Sequence, residues 1–458
     1  MPHAFTDDAL ARHDAVALAA LLRRREVSAA ELTAAALARA ERIAALGAVA
    51  ATGSPVAGSA DGLLAGVPTY VKDNTDVAGM PTGDGTTAFV PHPATAHGPV
   101  TAQLLGVGLT LLGKTRMPEF GFNASTEFAG AEPARNPWQP EFSAGASSGG
   151  AAVLVAAGVV PIAHANDGGG SIRIPAAACG LVGLKPGRGR LAANPVGKRL
   201  PIDIIADGVL SRTVRDTAMF LAAIERVHRD PALPPIGLVE GPANRKLRIG
   251  LLLDSPTGAP TDDATRAAAL DVARTLEKLG HTVEASEAPV DRGFADDFVD
   301  YWGLLAFLAS TTGRFLHDRS FDAGKLDPLT RGLRERYHRA MPRTPAILRR
   351  LGRVREAYAL TFTRHDLVLS PVLSHTTPRL GHLSPTVPFD VLLRRLIDYV
   401  AFTPLNNVAA APAIALPAGL TDEGLPVGVQ LSAAHGDERS LLEVAFALEA
   451  ERPFPTLP

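Results

Sequence analysis

An α/β fold, with a mixed central sheet covered by helices on both faces, follows from two features of this 458-residue sequence. Between residues 63 and 235 short β-prone runs alternate with helical ones, the pattern of a sheet enclosed by helices. The length exceeds what one ordinary core fills, so either one large α/β unit or a core with an inserted subdomain is expected.

Each element has its own local signal. Residues 14–46 carry two amphipathic helical patterns, the second capped by Ser28 ahead of Glu31 at capping-box spacing. Residues 52–62, rich in Gly, Ser, Pro and Ala, read as a linker. A β-prone apolar run ends at Lys72, and helical runs follow at 98–106, 148–158 and 211–227. The helix at 148–158 starts at Ser148, so its N-terminal N–H groups favour negative charge beside the preceding serine. Pro231-Ala232-Leu233-Pro234-Pro235 marks a boundary, after which 247–253 predicts a strand and 262–280 a helix ending at Gly280. Residues 292–365 read as mainly helical and 367–371 as a strand.

The chemistry concentrates in residues 143–175, where two glycine-wrapped serines, Ser147 and Ser171, flank one apolar stretch. Glycines let backbone approach a ligand and turn its N–H groups inward. A hydroxyl beside converging N–H groups suits acyl transfer, with the serine attacking a carbonyl and the N–H groups receiving the negative oxygen. Serine needs a base, and Lys72 supplies a candidate. Its neighbour Asp73 points to the opposite face of a strand, and a buried lysine without a carboxylate partner loses its proton more easily.

With Lys72, Ser147 and Ser171 in this order, the chain resembles the amidase signature family of Ser-cis-Ser-Lys amide hydrolases. The glycine-serine stretch 145–150, the segment Asp167 to Pro175, and Gly183-Leu184-Lys185-Pro186 match in order. So do Gly113-Lys114-Thr115, Asn407, Pro412, Pro417 and the run from Gly424 to Gln430. Asn166-Asp167-Gly168-Gly169-Gly170-Ser171 is similar to the branch that hydrolyses the 6-aminohexanoate cyclic dimer. The resemblance implies Lys72 as base, Ser147 as proton relay and Ser171 as nucleophile. It also implies an oxyanion hole from the N–H groups of Gly168, Gly169, Gly170 and Ser171, and a cis peptide entering Ser147. Ala146, Asn166 and Gly168 depart from the common pattern, which has glycine, threonine and a larger residue there. The same resemblance divides the chain into an N-terminal helical segment (1–60), a catalytic core (61–235), a variable pocket-lining region (236–400) and a returning C-terminal segment (401–458).

Two competing motifs fail on context. Gly145-Ala146-Ser147-Ser148-Gly149 fits a nucleophile elbow, but Pro137 and Pro140 disrupt the strand it needs. The run from Gly108 to Thr115 fits a phosphate loop, yet its interior is apolar and Met117-Pro118 follows where a helix is required, so it reads as a buried strand. Arg173 reads either as a site for an acidic substrate or, the favoured role, as an anchor for the glycine loop through backbone carbonyls.

A net charge of −2 argues against nucleic acid as partner, and the nine arginines of 331–355 read as a solvated helical face. Cys179 is the single cysteine, no leader or membrane span is legible, and a cytoplasmic enzyme is expected. Thirteen scattered histidines show no ligand spacing, so neither metal nor cofactor is expected. The expected partner is a small-molecule amide, with a homodimer allowed and the substrate-binding residues undefined. Seven aromatics between 294 and 321 (Phe294, Phe298, Tyr301, Trp302, Phe307, Phe315 and Phe321) point to an apolar pocket for uncharged amides, or else to helix packing. Two rival functions stay open: an amidotransferase A-type subunit, and a non-catalytic binding protein on the same fold.

Overall fold

In the computed structural model, which describes residues 2–458, eleven strands form two sheets. Strands β1 (Val49–Val56), β2 (Pro68–Lys72) and β3 (Thr110–Thr115) make the smaller one, in the order β1-β3-β2. The larger contains β4 (Ile162–Asp167), β5 (Val182–Lys185), β6 (Ala206–Ser211), β7 (Arg248–Leu251), β8 (Thr282–Ala285), β9 (Leu367–Pro371), β10 (Ala413–Leu420) and β11 (Pro426–Ala433). Its order is β4-β6-β5-β10-β11-β9-β7-β8, with β7 parallel to both neighbours and the other pairs antiparallel. This is the mixed sheet expected. Residues 236–400 thus extend the sheet past β11 through β9, β7 and β8.

Strands β2 to β5, β9 and β11 are buried at every residue, which is why the sequence shows apolar runs there and little alternation. The phosphate-loop lookalike is β3, a wholly buried strand as read. Side chains join the two sheets where no ladder does: Thr69 Oγ1 donates to the Ile162 carbonyl (2.9 Å), and the Lys72 backbone N–H donates to His164 Nδ1 (3.1 Å). That junction sets the end of β2 against the end of β4.

The helices Ala15–Arg24 and Ala29–Arg42 form as expected, with both bonds of the Ser28/Glu31 capping box present. Pro99–Gly106, Gly149–Ala156, Val214–Val227 and Asp263–Lys278 also occupy the expected windows. Gly293–Leu316, Pro328–Ala340 and Thr344–Thr361 fill the long helical stretch. One expectation is corrected. Residues 52–56 are not linker but part of β1, which places Thr52 opposite Gly113 and Val56 opposite Leu111. An edge strand exposed along most of its length buries little apolar surface, so its composition carries no strand signal.

Three of the arginines read as a solvated face have carboxylate partners: Arg336 and Arg343 both reach Asp300 at 2.9 Å, and Arg350 pairs with Asp297. No helix among the described residues is long and apolar enough to cross a membrane.

Candidate active site

Lys72 ends β2, Ser147 precedes the helix Gly149–Ala156, and Ser171 follows the glycine turn after β4. The fold brings all three together. Lys72 is fully buried, with Nζ 2.6 Å from Ser147 Oγ, 2.6 Å from Asn166 Oδ1 and 3.0 Å from Ser148 Oγ. A neutral amine has two hydrogens and one lone pair. The Asn166 amide oxygen and Ser148 Oγ take the two hydrogens, and Ser148 Oγ passes its own to the Asn166 carbonyl (3.2 Å). The lone pair is left for the Ser147 hydroxyl.

Burial pulls the Lys72 ammonium down to about 7, although Asp207, Asp167 and Asp84 each oppose the shift. None of the described carboxylates forms an ion pair with it. Asp73 faces elsewhere, as strand alternation predicts: its Oδ1 accepts from the Gly83 N–H, and burial raises its carboxyl to about 6. His164 was not legible beforehand. Its Nδ1 accepts from the Lys72 N–H, so Nε2 carries the ring proton and donates to Asp207 Oδ1 at 3.1 Å. A histidine inside an apolar strand gave no sign of bracing a lysine two sheets' edges away. Asn166, visible only as a departure from the common pattern, now has a role as acceptor for Lys72.

Ser171 Oγ lies 3.3 Å from the Ser147 backbone nitrogen, which donates to it. The cis peptide expected before Ser147 is absent, since no peptide bond among the described residues is cis. The chain turns here at Gly145, φ +92, where a Cβ would lie 2.4 Å from Pro175 Cα.

The glycine loop is held from beneath by Asp167. Its carboxylate accepts from the N–H groups of Gly170 (2.7 Å) and Ile172 (3.2 Å). Of the four N–H groups expected in the oxyanion hole, that of Gly170 is therefore already used, while Gly168, Gly169 and Ser171 line the cavity. Gly170 has φ +136, and a Cβ there would meet Thr403 Oγ1 at 2.4 Å.

Arg173 anchors this loop, as read, but through side chains rather than backbone carbonyls. It grips Asp167 with two bonds (2.9 and 3.0 Å) and also donates to the side-chain oxygens of Asn406, Asn407 and Gln430. A planar fork needs planar acceptors, and the side chains supply them. Burial pushes the Asp167 carboxyl up, but Arg173, Lys185 and Asn407 more than offset this and hold it well below the usual range. Both partners are wholly buried. Arg173→Ala leaves that charge unpaired and is expected to lower stability by about 3–5 kcal/mol, measured by guanidinium unfolding.

The serines open onto a cavity of about 970 Å³. Of the seven aromatics in 294–321, Phe298 and Trp302 line it. Phe294 and Tyr301 pack into the helical layer, Phe307 packs on Tyr337 and His338, Phe321 stacks beside Phe89, and Phe315 is exposed. Helical geometry sends neighbouring residues in different directions, so the wall recruits Leu305, Leu308, Ala309 and Thr312 by spacing rather than by aromatic content.

The amidase family profile matches residues 17–442. The AmiC protein of Mycobacterium tuberculosis strain H37Rv, an amidase by name, is 47% identical over 461 aligned positions, covering 99% of this chain and 97% of the relative. The solved structure of 6-aminohexanoate cyclic dimer hydrolase superposes with a TM-score of 0.83 at 29% identity, covering 98% of each chain. A bacterial aryl acylamidase of the amidase signature enzymes superposes with a TM-score of 0.80 at 26% identity, covering 96% of each.

Proposed function

The chain belongs to the amidase signature family and is a hydrolase of amide C–N bonds, and we propose that it works through a Ser171 acyl-enzyme with Lys72 as base and Ser147 as relay. The observation that carries this reading is the buried Lys72 amine, free of any carboxylate partner, with its remaining lone pair on Ser147 Oγ.

In the acylation step Lys72 takes the Ser147 proton as Ser147 takes that of Ser171, whose oxygen attacks the amide carbon. The Ser147 N–H holds Ser171 Oγ against the relay residue. The developing oxyanion is received by the N–H groups of Gly168, Gly169 and Ser171, with Gly170 serving as a brace. Ser147 then protonates the leaving nitrogen, without which the amine cannot depart, and is reprotonated by the Lys72 ammonium. Water releases the acid by the reverse route.

The apolar wall favours uncharged amides, linear or cyclic, with an aliphatic or aryl acyl part. A hexanoyl or aryl amide is expected to exceed malonamide in kcat/KM by at least about tenfold, because a small polar amide leaves the wall uncovered. Steady-state rates on both compounds measure this, and intact-mass detection of an acyl adduct on Ser171 tests the intermediate. A preference for malonamide overturns the substrate class, while absence of any adduct under a burst of amine release overturns the acyl-enzyme.

A further inference from the structure

The helix Gly293–Leu316 shows the cavity a single continuous stripe. Phe298, Trp302, Leu305, Ala309, Thr312 and Leu316 all line it, each three or four residues after the last. At 1.5 Å rise per residue the stripe is about 27 Å long. One end abuts the chemistry, since a Cβ on Gly169 would lie 3.4 Å from Phe298 Cζ. The other end reaches solvent, where Leu316 is 48% exposed.

The stripe is apolar throughout. Even Thr312 turns its hydroxyl back to the Leu308 carbonyl (2.7 Å), leaving its methyl for the cavity. At the rim Val90 and Val196 line the same cavity and are 60% and 57% exposed, interspersed with the polar His92, Arg199, His317 and Asp318. Large aliphatic side chains from three separate segments meeting at a mouth are a signature of an apolar ligand path.

We propose that this helix face gauges chain length: the acyl arm of the amide lies along it, from Phe298 beside the glycine loop toward the rim at Leu316. The substrate class is then amides of long, unbranched, uncharged acids, a narrower set than apolar amides at large. The inference rests on the hydrolase reading above for its assay, but not for its geometry. Position 309 lies about 16 Å along the stripe from Phe298, and position 312 about 4.5 Å further, roughly four bonds of an extended chain. A bulky side chain at either place should cut the path there.

The test uses p-nitroanilides of straight-chain acids from butanoyl to icosanoyl, long enough to pass both positions, on the wild type, Ala309→Trp and Thr312→Trp. In the wild type kcat/KM should climb with length, by up to about fourfold per methylene. Ala309→Trp should lower the icosanoyl-to-butanoyl ratio at least about tenfold, and Thr312→Trp should move the break to chains about four carbons longer. Damage to the fold would depress all lengths alike and could not order the two break points. Binding of the free acids, measured by calorimetry, reads the same gauge without turnover. A wild type indifferent to acyl length, or one that responds only to the length of the amine, overturns the gauge while leaving the hydrolase intact. Equal turnover by wild type and Ser171→Ala overturns the acyl-enzyme instead, and leaves the calorimetric series to judge the gauge.

Discussion

Ser171→Ala is expected to abolish amide hydrolysis, a loss of at least about 10⁴-fold in kcat, while the protein stays folded. Ser171 is nearly buried at the end of the glycine loop, and its hydroxyl accepts one bond, from the Ser147 N–H. Removing it deletes an oxygen and leaves no buried charge, so the stability effect is small beside the chemical one. Ser147→Ala breaks the path between Ser171 and Lys72 and is expected to lose about 10²–10⁴-fold, the usual range for proton transfer by a positioned group. The double variant should be little worse than Ser171→Ala alone, since a relay without its nucleophile has nothing to serve. Rates on one amide, with circular dichroism to confirm folding, settle the order. Near-normal activity in Ser171→Ala with none in Ser147→Ala would make Ser147 the nucleophile.

The second large effect belongs to Lys72. Its neutral form is the base, and burial brings its pKa to about 7. Above that value the amine is free and kcat/KM should sit on a plateau; below it the ammonium accumulates and the rate should fall about tenfold per pH unit. Lys72→Arg retains a long cationic side chain that stays protonated at every accessible pH, so it should be inactive even at pH 9. Lys72→Met should lose both the activity and the acid limb. A pH profile of kcat/KM from 5 to 9 checks all three. An acid limb that survives in Lys72→Met would assign the titration to another group.

The site residues could be read from sequence because serine, lysine and glycine carry unusual chemistry in short spacing, and the resemblance fixed their order. What supports them could not. His164 and Asp207 look like ordinary members of two strands until β4 and β6 set them side by side at 3.1 Å. Asn406, Asn407 and Gln430 reach Arg173 across more than 230 positions of chain, a separation no local pattern spans. Lys114, the lookalike phosphate-loop lysine, turns out to brace a loop, donating to the Thr75 carbonyl at 2.6 Å. Aromatic content left pocket lining and helix packing open in the sequence, because helical phase decides between them. Phe298 and Trp302 share a face with Leu305 and Ala309, whereas Phe294 and Tyr301 are as aromatic and point into the helical layer. β1 was missed because a strand exposed on one edge needs no apolar composition.

The base ends a strand of one sheet and the nucleophile follows a strand of the other, the two joined at that point by Thr69, His164 and Lys72 rather than by a strand ladder. A half-made chain therefore holds no activated nucleophile, however well either sheet has formed. Reactivity arrives only when the seam closes, and it departs if the seam parts, long before either core melts. Catalytic rate is thus a more sensitive thermometer of this junction than any spectroscopic measure of helix or strand, and inactivation on mild heating should precede the loss of secondary structure.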